Sequence, residues 1–312
     1  MTSATIAADV DRPCNLCGSA ARRQKYAVSG YHVVECPDCG FIYLGSFSAG
    51  LLEELYREGY FKGECRDARM VNVTGWDYFD PVHHADVLTR SRQTLEYLEG
   101  FVPPGNLLDI GCGPGIFLSA AASRGWTPFG FDVSEFAVDS ARGRFGLQNV
   151  TRRSVEDMDY APGSFDAVTM FHVIEHVADP SALAHACHRV IRPGGLLVVE
   201  TPDISTRRAR RAGVDWKYLK IPEHLNYFSL KTLSGLLTRA GFRTVGVRRA
   251  TDSTGAMNAL CGGQERARLF YARWSQRAWF RLLVAKTRAW KEIVSGRILK
   301  DFDNITIVAQ KT

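Results

Sequence analysis

The chain has 312 residues, 46% of them apolar and 23% charged, which excludes a disordered or fibrous protein and leaves room for one large α/β domain with small additions, or two modest domains. It has no run near the ~18 uninterrupted apolar residues of a bilayer span, and the polar opening MTSATIAADVDR does not read as a secretory leader, so a cytoplasmic protein is expected. The net charge of +6 is local: residues 265–300 hold ten Lys/Arg against two acids, leaving −2 for the rest, so the chain as a whole is not a nucleic-acid coat.

Two cysteine pairs come first. Cys14-x-x-Cys17 and Cys36-x-x-Cys39 are separated by 18 residues, a layout that brings two tight turns and four thiolates to one point. Four sulfurs complete a tetrahedron and leave no open position, so the expected ion is a structural zinc and not a catalytic one. Short strands in YAVSGYHVVEC, around Gly30, and in GFIYL complete a zinc ribbon over residues 1–46. The remaining four, Cys65, Cys112, Cys187 and Cys261, have no partner at ligand spacing and read as small packing residues.

Residues 47–100 read as a helical lid or linker, carried by AGLLEELYREGYF and DVLTRSRQTLEYLEGF. Tyr60, Trp76, Tyr78, Phe79 and the His83/His84 pair make this segment aromatic, suited to closing over a crevice or simply to packing. FVPPG then breaks the chain, and residues 101–312 form the main domain. Strands are expected at 106–110, 127–131, 148–152, 165–171, 195–201 and 242–249. A helix over 180–191 has Asp179 as cap, Pro180 in its first position and a stop at RPGG. A second runs from Ser229 to Ala240, ended by Gly241. Such alternation means a parallel sheet covered on both faces.

The first of these strands ends in LLDIGCGPGIFL, residues 107–118. A strand that enters a helix through glycines offers free N–H groups to a nucleotide. A dinucleotide fold needs G-x-G-x-x-G, but here the third glycine, Gly115, comes one position early and Ile116 occupies its place. Asp132 follows Gly111 by 21 residues, at a strand end where a carboxylate can accept two ribose hydroxyls.

LLDIGCGPGIFL, FGFDVSEFAVDSAR, SVEDMDYAPGSFDAVTMFHVIEHVADP and VIRPGGLLVVETP, in that order, resemble the class I S-adenosylmethionine-dependent methyltransferases. The likeness covers about residues 95–250 and returns at DFDNITIVAQK, which would be the final antiparallel strand of a Rossmann-like sheet. The resemblance implies that Gly111, Cys112 and Gly113 line the methionine part through their backbone. Asp109 would orient that loop or hold the amino group through water, or only brace the turn. Asp132 would bind the ribose, with Val133 against the adenine. Ser154, Val155 and Glu156 fall where the family meets the adenine edge, Ser154 standing where Asp is frequent. Phe171 and His172 would flank the sulfonium.

A methyl acceptor needs alignment and, where its pKa is high, a base. Two clusters offer one: FHVIEHV, with His172, Glu175 and His176, and IPEHLNYF, with Glu223, His224 and Tyr227. Glu175 and His176 are adjacent and read better as a structural turn, so His172 is the stronger candidate there. The Pro-Glu-His run resembles the zinc-ribbon-bearing deoxysugar C-methyltransferases. That likeness implies His224 as general base and Glu223 as its partner or a substrate anchor, and a histidine pKa near neutrality suits proton removal. The alternative is a brace for the turn before the Ser229 helix. Those sugar enzymes carry a second large domain that this chain lacks, so the acceptor, a sugar or specialised metabolite, and C- or O-methylation stay open.

A basic, tryptophan-rich insertion occupies about residues 256–300, with Arg273, Arg277 and Arg281 on one helical face. It would pack on the core or on a second subunit of a homodimer, lie on an anionic membrane, or bind an acidic acceptor. Two other functions compete. An RNA methyltransferase can carry a zinc ribbon, but no base-methylation or catalytic-cysteine motif is present. A non-catalytic module would keep the fold as a scaffold, against which the intact glycine turn and Asp132 speak.

Overall fold

A computed structural model describes residues 13–47, 61–62, 77–250 and 303–312. Tyr60, Trp76, Cys65, Cys261 and the basic insertion lie outside the described residues.

β1 (Arg23–Val28) and β2 (Tyr31–Glu35) form an antiparallel hairpin turned at Ser29 and Gly30, with φ of 51° and 82°, the left-handed pair that a two-residue hairpin needs. β3 (Ile42–Leu44) joins β2 antiparallel. α1 (Pro81–Glu99) follows, its first turn held by Asp80, which accepts from the His83 N–H over 3.0 Å. Leu95 and Leu98, near its end, are fully buried.

Next come β4 (Asn106–Ile110), α2 (Ile116–Ala122), β5 (Thr127–Asp132), α3 (Glu135–Phe145), β6 (Val150–Arg152), β7 (Phe165–Phe171), α4 (Pro180–Val190) and β8 (Ile191–Pro202). After the short α5 (Arg207–Ala212) and β9 (Asn226–Tyr227), α6 (Leu230–Arg239), β10 (Phe242–Ala250) and β11 (Asn304–Lys311) complete the order. The main sheet runs β10-β11-β8-β7-β4-β5-β6. Its β6-to-β8 portion is parallel, and β11 is antiparallel to both β8 and β10.

Alternate residues feed opposite faces, as period-two strands must. Leu107, Leu196, Val198 and Val308 pack with α1, α2 and α3, whereas Leu108, Leu197, Val199, Ile307 and Ala309 pack with α4 and α6. One sequence expectation shifts. RPGG does not merely stop α4, because the strand already begins at Ile191. Phe165 pairs with Ile191 and Ala167 with Leu196, so the extra residues bulge. Arg192 reaches Asp166 across this bulge at 2.6 Å, and a Cβ on Gly195 would lie 2.8 Å from the Asp166 carbonyl oxygen.

β9 belongs to the other sheet, ordered β1-β2-β3-β9. The cysteine-bearing ribbon is thus stitched to the main domain, and Cys14, Leu16, Cys36 and Phe41 share an apolar cluster with Ile174, Val177 and Phe228. Among the described residues no helix is long and apolar enough to cross a membrane.

Candidate active site

One cleft of about 1130 Å³ opens at the carboxyl ends of the parallel strands. Asp109, Gly111, Cys112, Gly113, Asp132, Val133, Ser154, Val155, Glu156 and Phe171 line it, and so do His172, Glu223 and His224. Every cofactor-side and catalytic residue picked from the sequence faces this space.

The turn after β4 is pinned to β5. Gly111 and Cys112 donate to the Phe131 carbonyl at 2.9 and 3.1 Å, and Gly113 donates to Asp132 Oδ2 at 2.9 Å. Gly111 has φ 65°, and a Cβ there would lie 2.6 Å from Val173 Cγ2, so both backbone and space demand glycine. Asp132 Oδ1 accepts from the Ser134 N–H at 2.9 Å. Burial raises the Asp132 pKa, and the N–H groups of Ser134, Gly113 and Val133 oppose this. Asp109 accepts from Thr169 Oγ1 at 2.7 Å. Its pKa is pushed up to about 7, chiefly by burial, with Thr169 pulling down and the Asp132 charge pushing up.

Along the crevice, Ser154 donates to Asp157 Oδ2 at 2.8 Å. Asp157 also lines the cleft and supplies a carboxylate beside Ser154 that the sequence reading passed over, although its place three residues on was there to see. Phe171 meets Phe117 edge-on at 4.8 Å. Before and at the start of α1, Tyr78 and His83 line the cleft, and burial, then the Asp132 charge, pushes the Tyr78 phenol up to about 12. His84 instead stacks on Phe145.

The far half of the cleft is built on histidines. His172 sits at φ 56° just after β7, its Nδ1 3.1 Å from Glu175 and its Nε2 3.6 Å from Glu200. Burial alone would lower its pKa, but hydrogen bonds to Glu175 and Glu200 and their charges raise it to about 9. The imidazolium therefore persists at neutral pH. Glu200, near the end of β8, also accepts from Thr306 at 2.7 Å. It was missed in the sequence, though an acid at the carboxyl end of an otherwise apolar strand was a usable signal.

Glu223 and His224 are buried, and Lys220 Nζ lies 3.5 Å from Glu223 Oε2. His224 departs from its expected near-neutral pKa: burial first, then the charges of His176, Lys220 and His172, hold it well below 6.5. It remains a neutral imidazole at physiological pH. Glu175 acts as the brace expected of it, accepting from Thr201 at 2.9 Å as well as bonding His172. Glu175, His176 and His224 bring three donor atoms within 4.8 Å of one another. Both Glu175 oxygens are engaged by His172 and Thr201, His176 Nδ1 bonds the Glu223 carbonyl at 2.8 Å, and the His176 and His224 rings meet edge-on.

The cysteine group differs. Cys14 and Cys39 Sγ are 3.5 Å apart, Cys17 and Cys36 Sγ 3.6 Å, and all four lie within 4.8 Å of one another. A tetrahedral zinc with ~2.3 Å bonds separates its sulfurs by about 3.8 Å, so the set fits the ion. Burial pushes the Cys14 and Cys39 thiols up, and four crowded sulfurs cannot all ionise without a cation.

A seven-stranded sheet with one antiparallel strand and a glycine turn braced by an acid on the next strand is the architecture of class I S-adenosylmethionine-dependent methyltransferases. A family profile described as "Methyltransferase domain" matches residues 82–247, and the chain belongs to that family. It is 34% identical over 154 residues to the ubiquinone biosynthesis O-methyltransferase of Thiobacillus denitrificans, covering 46% of this chain and 64% of the relative. With the protein of the same name from Alkalilimnicola ehrlichii the identity is 32%, covering 45% and 52%. The matches thus span less than two thirds of these relatives' own length. A Galdieria sulphuraria structure named as a sarcosine dimethylglycine methyltransferase aligns with a TM-score of 0.50 at 14% identity, over 73% of this chain and 86% of that one, a likeness of fold.

Proposed function

We propose that this chain transfers a methyl group from S-adenosylmethionine to a hydroxyl of a small molecule. The observation that carries the reading is one shared cleft: at one end a glycine turn locked to Asp132, at the other the buried Glu223 and His224.

When bound, S-adenosylmethionine supplies a sulfonium methyl and leaves as a thioether. The N–H-rich turn of Gly111, Cys112 and Gly113 holds the methionine part, with Asp109 shaping it. Asp132 takes the ribose hydroxyls, Val133 covers the adenine, and Ser154, Val155 and Glu156, with Asp157, meet its edge. Phe171 excludes water beside the sulfur. His224 accepts the acceptor's proton as the new O–C bond forms, a task open to it because it is unprotonated. Glu223, paired with Lys220, anchors the acceptor. His172, already holding both ring protons, serves as a fixed positive charge near the developing oxyanion and not as the base. Cys14, Cys17, Cys36 and Cys39 hold a structural zinc. The relatives' names favour oxygen over carbon as the acceptor atom.

Calorimetry on zinc-loaded protein is expected to give heat with S-adenosylhomocysteine and none with NADH; the reverse overturns the reading. With methyl-labelled donor and a panel of phenols, catechols and sugars, label is expected in a methyl ether. For any acceptor so found, His224→Gln should cut turnover ~10²- to 10⁴-fold, the range of a lost general base, while S-adenosylhomocysteine affinity stays within about threefold. Normal turnover would return His224 to a structural role.

A further inference from the structure

Three segments distant in sequence meet behind the acceptor half of the cleft: the first cysteine turn, the turn at 173–178, and residues 223–227. Asn15, between Cys14 and Leu16, donates from Nδ2 to the Ala178 carbonyl at 2.7 Å. Asn226 Nδ2 donates to the Val177 carbonyl at 2.7 Å and the Ile174 carbonyl at 3.3 Å. The Leu225 and Asn226 N–H groups both donate to the Glu175 carbonyl, at 2.8 and 2.9 Å, and the His176 ring bonds the Glu223 carbonyl. From outside, Ile42 pairs with Tyr227 and Tyr43 with Asn226, and the Leu44 N–H donates to the Leu225 carbonyl at 2.9 Å.

The ribbon therefore grips this wall twice, through Asn15 at Ala178 and through β3 at 225–227. The hydrogen bonds that shape the cofactor half run elsewhere. Gly111 and Cys112 bond Phe131, Gly113 bonds Asp132, and Thr169 bonds Asp109, all within the main sheet and its turns.

We propose that the cysteine turn is the outer support of the acceptor wall, with Asn15 as its positioning residue, so that events at the four sulfurs are transmitted to His176, Glu223 and His224 but not to the glycine turn. The proposal rests on the assignment of the acceptor to this half of the cleft. Its physical basis is short and local. Asn15 is covalently flanked by Cys14, so its amide can stay on Ala178 only while the cysteine turn keeps its shape. A tetrahedral four-sulfur site fixes that shape. Loss of the ion frees crowded thiols that have no common partner, and the wall loses one of its two grips.

The test combines amide hydrogen exchange with S-adenosylhomocysteine calorimetry on the full chain, using fractions that carry one zinc each. It compares the wild type with Asn15→Ala, Asn15→Asp and Arg23→Ala, and with wild type stripped by a chelator. Aspartate keeps the size of Asn15 but presents only acceptor oxygens to a carbonyl, so it removes the bond while leaving the packing. Exchange at the amides of His176, Leu225 and Asn226 is expected to rise about five- to tenfold in both Asn15 variants, the factor of one ordinary hydrogen bond. It should rise by about a hundredfold or more in the stripped protein. S-adenosylhomocysteine affinity should stay within about threefold throughout. Arg23→Ala, which removes an exposed pair with Glu35, should change neither. Unchanged exchange in the Asn15 variants overturns the proposal. So does affinity that falls in step with exchange, since the ribbon would then support the whole fold. A wild type that gives no heat overturns the cofactor assignment alone, and the exchange pattern still decides the coupling.

Discussion

Asp132 combines structural hydrogen bonds with one proposed ligand on the same carboxylate. Gly113 and Ser134 each take one carboxylate oxygen, which leaves a second lone pair on each for the ribose. Asp132→Ala should therefore loosen the glycine turn and remove the sugar contact together. Hydrogen bonds to charged groups contribute about 1.5–3 kcal/mol, so S-adenosylhomocysteine affinity is expected to fall roughly ten- to 150-fold by calorimetry. Unchanged affinity would remove the ribose assignment. His172 makes a different prediction, one of pH. Its pKa is raised in the folded chain to about 9, against ~6.5 unfolded. A raised pKa means that the folded state holds the proton more tightly, so the stabilisation is full below about pH 6.5 and is lost as pH rises through 9. Denaturation of wild type and His172→Gln at pH 6, 8 and 10 should show a difference that shrinks with pH. A difference that grows would mean that the Glu175 and Glu200 pairing does not hold the imidazolium.

At the scale of elements, the sequence was most readable where a terminus has its own chemistry. Asp179 accepts from the N–H groups of Ser181 and Ala182, each at 2.9 Å, and Pro180 opens α4 as its missing N–H allows. Asp179→Ala should cost about 1 kcal/mol of stability in urea unfolding and leave cofactor affinity alone. A loss many times larger would show that Asp179 holds more than a helix end. Ser229, expected as the first residue of its helix, instead caps α6 in a reciprocal pair with Thr232. The glycine turn could be read because a positive φ and close packing restrict Gly111 to one residue type. β9 could not: two residues carry no period, and its strand character comes from β3 beside it. The pairing of Glu200 with His172 was not legible, since it needs β7 and β8 side by side, and Thr306 holds Glu200 from β11, a neighbour only in the folded sheet. The same holds for Asn15, whose partner lies 163 residues away. The depressed pKa of His224 was illegible for a related reason, being set first by burial and then by Coulombic influences that include His176 and His172, distant in sequence.

For the whole molecule, the consequential feature is where the chain's last strand sits. β11 is not an edge but lies between β8 and β10, paired to both over most of its length. Ile305, Ile307 and Ala309 are fully buried on the α4/α6 face and Val308 nearly so on the other, so β11 joins the two apolar clusters that sandwich the sheet. Asn304 and Thr306 at its start also border the cleft, which makes the last strand part of the site as well as of the core. Pairing of this kind is non-local and must offset the entropy of closing a long loop. Among the described residues β10 pairs with β11 alone and would lose that ladder with it. Ile307→Ala should therefore cost about 2–5 kcal/mol, the range for a large-to-small change in a packed core, read as a shift in urea midpoint at unchanged slope. Deleting residues 304–312 should go further and abolish cooperative unfolding. A truncated chain that still unfolded in one transition and still gave heat with S-adenosylhomocysteine would show that the six remaining strands hold the site without it.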